Sequence, residues 1–266
     1  MVRWASLPMY PWPAQLSQQY WDFLCQGLSE LGEEGLPRHL MQPLDYLAHW
    51  RQHGLLLSQS CGYPVSTLLQ GQVQVVGAFH YQLPGCEDWR YSSALMVRKA
   101  DAAAGLADFR GRRVVCNDRH SQSGYHALRS ELARQVGTQP FFGRVLFSGS
   151  HRMSLSMLAE GQADIAAIDC VTAHLLAQQQ PQLLDQLACI GHTARQPGLP
   201  LITAGDTTQV TLERLRVVIA QSLQEASLQP FFQAAAISGF SVLGAEDYTV
   251  LARQAQALRL QGMSVW

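Results

Sequence analysis

Residues 113–128 read RVVCNDRHSQSGYHAL, and this stretch decides the fold. It opens with the apolar run Val114-Val115-Cys116, which is typical of a short buried strand. A turn of polar and small residues follows, and apolar residues return at helical spacing from about His126. The stretch therefore predicts a strand, a polar turn and a helix, which is the repeating element of an α/β protein.

The turn Asn117–Tyr125 has the composition of an anion site. Its two serines can donate hydroxyl hydrogen bonds, and its glycine lets the backbone approach a ligand closely. The first N–H groups of a helix have no partner inside the helix, and the helix dipole favours negative charge there. A plain N-cap, the alternative interpretation, needs only one serine. The predicted ligand-binding residues of the turn are Asn117, Ser121, Gln122, Ser123 and Gly124.

The stretch lies within a longer alternation of strands and helices. Apolar runs at 93–98, 143–148 and 163–169 are predicted strands, and the segment from Tyr91 to Gln196 forms a self-contained run. The flanking halves each look incomplete without the other. We therefore expect an α/β protein of two lobes, each a mixed sheet flanked by helices. Residues 1–90 and 198–266 would form a discontinuous lobe 1, and residues 91–197 an inserted lobe 2. The ligand cleft would lie between the lobes, and the two chain crossings would form a hinge.

Two other strand ends in the predicted lobe 2 carry polar residues. Ser150 and His151 follow the strand at 143–148, so a second helix N-terminus there offers a hydroxyl and an imidazole. Asp169 ends the apolar strand at 163–169, where a carboxylate is costly to bury without a donor or a cation. Two interpretations stay open for Asp169: it caps the next helix, or it contacts a ligand hydroxyl, amine or protonated oxygen.

Polar residues also follow strand ends in the predicted lobe 1. In open α/β sheets, ligands bind beyond the carboxyl ends of the strands. Each tyrosine alone is more often a half-buried packing residue, and only the shared position at strand ends favours a binding role. The predicted ligand-binding residues of this lobe are Tyr10, Ser60, Tyr63 and Tyr81.

Composition narrows the choice of partner. The formal net charge is −1, so no basic surface indicates nucleic acid or an anionic membrane. The six cysteines are scattered and form no CxxC pair, which argues against a structural metal site. We expect no cofactor and mostly buried thiols. A Cys61–Cys86 disulfide stays open for an exported protein.

The N-terminal sequence carries no recognisable export signal. Met1-Val2-Arg3 runs directly into what looks like a first core strand, without the apolar stretch and cleavage site of a leader. No segment reaches the about 20 apolar residues of a membrane span. The chain as written is therefore expected to be cytoplasmic and not inserted in a membrane, or periplasmic if a leader has been removed.

The chain resembles the phosphate and phosphonate substrate-binding proteins of ABC importers, within the type 2 periplasmic-binding-protein fold. The resemblance extends from the N-terminus to about residue 203, and the C-terminal helices follow it loosely. The matching segments are Ser6–Tyr10, Ser58–Pro64, Asp108–Gly111, Asn117–Tyr125, Gly149–His151, Gly161–Asp164 and Ala166–Asp169.

The resemblance implies roles for several residues. Ser121, Gln122 and Ser123 would hold the phosphonate oxygens, although Gln122 stands where the family has a hydroxyl. His151 would also reach the anion, and Asp169 would hold the amine of an aminophosphonate. The implied partners are a small oxyanion and the membrane subunits of an ABC transporter.

Three function classes follow. The leading hypothesis is a binding protein without chemistry, which closes over its oxyanion by hinge motion. The second is a cytoplasmic enzyme on the same fold, similar to certain menaquinone-pathway proteins that act on carboxylated substrates. It would use His151 and Asp169 as acid and base, or Cys61 or Cys170 as nucleophile. The third, a ligand-sensing module of a regulator, lacks a DNA-binding motif in the sequence.

Overall fold

The computed structural model describes residues 3–263. Its strands are β1 (Trp4–Ala5), β2 (Leu55–Gln59), β3 (Val73–Tyr81), β4 (Arg90–Tyr91), β5 (Ser93–Arg98), β6 (Arg113–Cys116), β7 (Arg144–Phe147), β8 (Ile165–Asp169), β9 (Leu187–His192), β10 (Gln196–Pro197), β11 (Pro200–Ala204) and β12 (Ile237–Ser241). Its α-helices are α1 (Ala14–Glu30), α2 (Tyr46–Trp50), α3 (Gly62–Ser66), α4 (Ala127–Val136), α5 (His151–Ala159), α6 (Cys170–Gln179), α7 (Gln209–Ser222), α8 (Gln229–Ala235) and α9 (Thr249–Leu260). Within the described range, no helix has the length and apolar character needed to cross a membrane.

The chain divides into two compact units. Unit 1 contains residues 3–82, 87–89 and 197–249, and unit 2 contains residues 83–86, 90–196 and 250–263. Each unit has its own five-stranded sheet flanked by helices. The mixed α/β fold class predicted from the sequence is therefore confirmed.

Unit 1 is built on a mixed sheet with the strand order β1-β2-β11-β3-β12. Strand β1 is parallel to β2, whereas β11 runs antiparallel to both of its neighbours. Helix α1 buries Tyr20, Leu24 and Leu28, which share one face because they are four residues apart. The ring of Tyr20 stacks on Phe231 of α8 with centroids 4.7 Å apart, and aromatic packing of this kind forms much of the unit 1 core.

Unit 2 is built on a sheet with the strand order β7-β6-β8-β5-β9. Strands β7, β6 and β8 are parallel to one another, and β5 runs antiparallel to β8 and β9. The carboxyl ends of β6, β7 and β8 therefore lie at one edge of the sheet, which we call the carboxyl edge, and their amino ends lie at the opposite amino edge.

Alternation along the strands gives the unit 2 sheet two buried faces. On β6, Val114 and Cys116 join one hydrophobic cluster and Val115 joins the other. The first cluster includes Leu128 of α4, and the second includes Leu155 of α5. A sheet covered by helices on both faces produces the continuous apolar runs seen in the sequence.

The C-terminal helix differs from the sequence expectation. Residues 250–263 belong to unit 2, although the sequence suggested that the whole of 198–266 completes the first lobe. The physical reason is the apolar face of α9, because Leu258 and the following Met263 are buried in the same cluster as Val114. Residues 264–266 lie outside the described residues.

Candidate functional site

The carboxyl edge of unit 2 collects most of the polar residues predicted to bind a ligand. Asn117 follows β6, Ser150 and His151 follow β7, and Asp169 ends β8. Because β6, β7 and β8 are adjacent and parallel, these four residues lie at the same edge of the sheet. Open α/β sheets bind their ligands at this edge.

The turn after β6 is itself helical. Gln122–His126 forms one turn of π-helix that continues directly into α4, so the helix begins about four residues earlier than the sequence predicted. The Ser121 hydroxyl caps it by accepting a hydrogen bond from the Gly124 N–H at 3.0 Å. Single π-helical turns occur often at functional sites, and no feature of the sequence announced this one.

Gly124 is required by the close approach of two side chains. A Cβ at this position would overlap Oδ1 of Asn117 and lie 3.1 Å from Cε1 of His151. Glycine therefore allows the first turn of the helix to sit directly against the residues that follow β6 and β7.

Ser93 supports the turn from β5, and no sequence motif indicated this role. Its hydroxyl donates to the Ser123 carbonyl at 2.9 Å, and its own N–H donates to Thr193 Oγ1 at 2.9 Å. Gln122 is buried beside Ser93 and Thr193. A serine in an apolar strand is the only sequence signal for this supporting contact.

His151 and Ser123 connect the two helix N-termini. Nε2 of His151, the first residue of α5, lies 2.8 Å from Oγ of Ser123. Ser150 caps α5 by accepting from the Met153 N–H at 3.2 Å. Burial lowers the pKa of His151 from its ordinary value to about 4, so the imidazole is neutral at pH 7.

The neutral Ser123–His151 pair keeps one donor for a bound molecule in either tautomer. If Ser123 donates to Nε2, the Nδ1–H is left to donate; if Nε2–H donates to Ser123, the hydroxyl hydrogen is left. Among residues 3–263, neither Nδ1 of His151 nor Oδ1 of Asn117 has a hydrogen-bond partner, although both atoms are buried. Buried polar atoms in this state need a partner that the described chain does not supply.

Asp169 has a complete structural role at the start of α6. Its Oδ1 accepts from the Val171 N–H at 2.8 Å and from the Thr172 N–H at 3.0 Å, and the residue is buried. The capping interpretation is thus observed, and the contact with a ligand amine stays a prediction.

The unit 1 residues form a separate group. Tyr10 and Tyr81 are buried and pack edge to face, with ring centroids 5.6 Å apart. Ser60 follows β2 and donates to the Cys61 carbonyl at 3.3 Å, and Tyr63 lies in α3. All four are at or near strand ends of the unit 1 sheet, and their predicted contact with the ligand stays a prediction.

The turn contains one cationic side chain, Arg119, which packs on an aromatic ring at the end of β7. The Arg119 guanidinium lies over the Phe147 ring, 4.5 Å from its centroid, and this contact fixes its direction. In residues 3–263, no group of three His, Cys, Asp or Glu side chains is arranged to hold a metal ion. The donors that Ser121, Ser123, Gly124 and His151 supply are neutral hydroxyl, imidazole and backbone groups.

Residues 45–248 match the family of periplasmic substrate-binding proteins of phosphonate ABC transporters. The match covers more than half of the chain, and the chain belongs to this family. The enzyme alternative finds no support in it. A search of curated proteins found no significant match.

Solved structures share the fold at low sequence identity. A binding-protein component of an ABC phosphonate transporter from Pseudomonas aeruginosa has a TM-score of 0.74 at 16% identity, covering 98% of this chain and 88% of that chain. The PhnD1 protein of Prochlorococcus marinus in complex with methylphosphonate has a TM-score of 0.73 at 14% identity, covering 96% and 98%. XAC2383 from Xanthomonas citri bound to ATP has a TM-score of 0.70 at 16% identity, covering 97% and 98%.

Proposed function

We propose that this protein binds a phosphorus oxyanion, phosphate or a phosphonate, at the turn between β6 and α4, as the substrate-binding component of an ABC importer. The observation that carries the proposal is the contact between Ser123 Oγ and His151 Nε2 at 2.8 Å. It joins the N-termini of two helices, and both helix dipoles favour a negative charge there.

Neutral donors suit a protein that must release its ligand. Hydroxyl and N–H donors can surround the oxygens of a tetrahedral anion, and each hydrogen bond to a charged group contributes about 1.5–3 kcal/mol. With Arg119 held against Phe147, recognition at this turn depends on the number and direction of these donors. The proposed contacts come from Ser121, Ser123 and His151, supported by Asn117 and Gly124.

The ligands of two similar structures support a phosphorus oxyanion. Methylphosphonate is bound in the protein from Prochlorococcus marinus, and ATP is bound in the protein from Xanthomonas citri. The two molecules differ greatly in size, and both contain tetrahedral phosphorus with anionic oxygens. The shared group supports an oxyanion as the recognised part, with the rest of the ligand left to other contacts.

The family also supports a place of action. Its members are periplasmic and deliver their ligand to the membrane subunits of an ABC transporter. We therefore propose the periplasm for this protein, with a small oxyanion and those subunits as its partners.

A thermal-shift screen tests the proposal. The purified protein would be melted with phosphate, methylphosphonate, 2-aminoethylphosphonate, ATP, sulfate and citrate in turn. A ligand present at 100 times its dissociation constant adds about 2.7 kcal/mol to the stability of the native state. For a protein of this size, we expect the melting temperature to rise by at least about 5 °C with one phosphorus oxyanion.

The screen also separates the alternatives. A rise with phosphate or a phosphonate, and none with sulfate or citrate, supports the proposal. A rise with citrate alone, together with none from any phosphorus compound, contradicts it and favours a carboxylate-directed protein on the same fold.

A further inference from the structure

Two cysteines that lie far apart in the sequence meet in unit 2. Sγ of Cys86 lies 3.4 Å from Sγ of Cys170, and the two residues are separated by 84 positions. Both are free thiols in this structure. From the sequence, a Cys61–Cys86 pair stayed open, and the structure instead places the Cys86 sulfur against Cys170.

Each thiol is held in place by its surroundings. Cys86 ends a tight turn, with its N–H donating to the Leu83 carbonyl at 3.0 Å. Gly85 in that turn has a φ of +92°, and a Cβ there would lie 2.5 Å from Ser92 Oγ and 3.4 Å from Cys170 Cβ. Cys170 is the first residue of α6, and its N–H donates to the Ser92 carbonyl at 3.2 Å. The backbone at each cysteine is therefore fixed by hydrogen bonds, and the two sulfur atoms lie next to each other.

We propose that Cys86 and Cys170 are a modification site where a reversible disulfide forms, as the two thiols transfer two electrons and two protons to a small-molecule disulfide such as oxidised glutathione. A disulfide needs the sulfur atoms at about 2.05 Å, so from 3.4 Å they must approach by about 1.4 Å. In the reaction, each thiol gives up one proton and one electron as the new S–S bond forms. The oxidant's own S–S bond breaks, and it leaves as two thiols.

Access and compartment both favour the reaction. Cys86 is only half-buried, whereas Cys170 is buried, so Cys86 is the thiol that a soluble disulfide reaches first. The contact with Cys170, together with burial, raises the pKa of the Cys86 thiol, so little thiolate forms near pH 7; oxidation is slow there and becomes faster as the pH rises. The protein belongs to a family of periplasmic proteins, and the bacterial periplasm is oxidising.

The bond would fasten a chain segment to the carboxyl edge. Residues 83–86 belong to unit 2, although residues on both sides of them belong to unit 1. Cys170 follows Asp169, the N-cap of α6. The disulfide would therefore link residues 83–86 covalently to α6, the helix that begins at the carboxyl edge.

The test counts thiols before and after oxidation. The Cys189→Ser variant serves as the background, because Cys189 is exposed and would otherwise react with the oxidant. Five of the six cysteines then remain. After treatment with oxidised glutathione, we expect the unfolded protein to show three thiols, and the intact mass to fall by two hydrogens instead of rising by a glutathione adduct. Dithiothreitol should restore all five thiols.

Peptide mapping without reduction identifies the partners, and it can be done on the wild-type protein if a variant folds poorly. We expect one linked pair that contains Cys86 and Cys170, and the oxidised protein should melt several degrees above the reduced protein. Cys86→Ser in the same background should keep its thiols through the treatment. Five thiols remaining in the background variant, or Cys86 linked to any other cysteine, would overturn the proposal. None of these results depends on whether the protein binds a phosphonate.

Discussion

At the amino edge of the unit 2 sheet, charged side chains form ion pairs with one another. At the carboxyl edge, Ser123 and His151 of the two helix N-termini are neutral hydrogen-bond donors. At the amino edge, Oδ1 of Asp164 lies 2.8 Å from Arg98 and 2.9 Å from Arg113, and Oδ2 accepts from the Arg113 N–H at 2.9 Å. At the carboxyl edge, Ser123 and His151 share one hydrogen bond, and buried atoms beside them have no partner within residues 3–263.

The difference shows how one sheet can serve two purposes. The arginine contacts at the amino edge, above all the hydrogen bonds from Arg113, hold the pKa of Asp164 well below its usual range. Charges that satisfy one another leave no capacity for a ligand and stabilise the fold. Neutral groups with spare donors contribute less to stability, and they can exchange water for an anion reversibly. Mutations at the amino edge should therefore change stability, and mutations at the carboxyl edge should change ligand binding.

The largest expected effect is at the carboxyl edge. Ser123→Asp places a carboxylate at the helix N-terminus where we propose that the anion binds, so the two negative charges would repel each other. We expect binding of phosphate and phosphonates to be lost in calorimetry, while the protein still melts cooperatively. Ser123→Ala is the matched control, because it removes the hydroxyl without adding charge and should only weaken binding. Wild-type affinity in the aspartate variant would mean that the anion binds elsewhere.

At the amino edge, Asp164→Asn should change stability and leave binding intact. The substitution keeps the volume of the side chain but removes the carboxylate that Arg98 and Arg113 share, and since Arg113 is 41% exposed, the cost should stay below the roughly 3–5 kcal/mol of a fully buried pair. A urea titration should show the loss as a lower midpoint. Affinity for the anion, measured on the folded variant, should stay within about twofold. A large loss of affinity with unchanged stability would contradict the division between the two edges.

Features that depend on local sequence could be predicted from the sequence, whereas features that depend on tertiary packing could not. The strand, turn and helix of residues 113–128 were predicted, because apolar runs followed by serine and glycine reflect local chemistry. The sequence also indicated His151 and Asp169 at two further strand ends. By contrast, the π-helical turn at Gln122–His126 and the contact from Ser93 depend on packing between distant segments. The Cys86–Cys170 contact and the place of α9 in unit 2 depend on tertiary structure in the same way.

The pH dependence of stability should reflect the neutral histidine at the carboxyl edge. The pKa of His151 is lowered by burial to about 4, so the unfolded chain takes up a proton first as the pH falls. Stability from this residue is therefore complete above about pH 6.5 and is lost as the pH falls toward 4. From pH 7 to pH 5, the loss should be about 2 kcal/mol for this residue.

His126 should add to this loss, because burial lowers its pKa to about 3. Denaturant titrations at several pH values would measure the combined fall in the free energy of unfolding. The His151→Gln variant cannot titrate there, and its fall should be smaller than that of the wild type by about 2 kcal/mol. Identical pH profiles for the two proteins would show that His151 is not neutral and buried in solution.

The smallest expected effect tests whether His151 contacts the anion or only orders the turn. His151→Ala removes one donor to the ligand, directly or through Ser123, and should weaken phosphonate binding about tenfold. The matched control is His53→Ala, since His53 is exposed in unit 1 and pairs with Asp206. If His151 acts as a donor, His151→Gln should recover part of the affinity, because the glutamine amide can donate as well. Equal affinities in the wild type and the alanine variant would assign His151 to the start of α5 alone. The carboxyl edge would then bind its anion through the Ser121–Gly124 turn, with a single helix N-terminus.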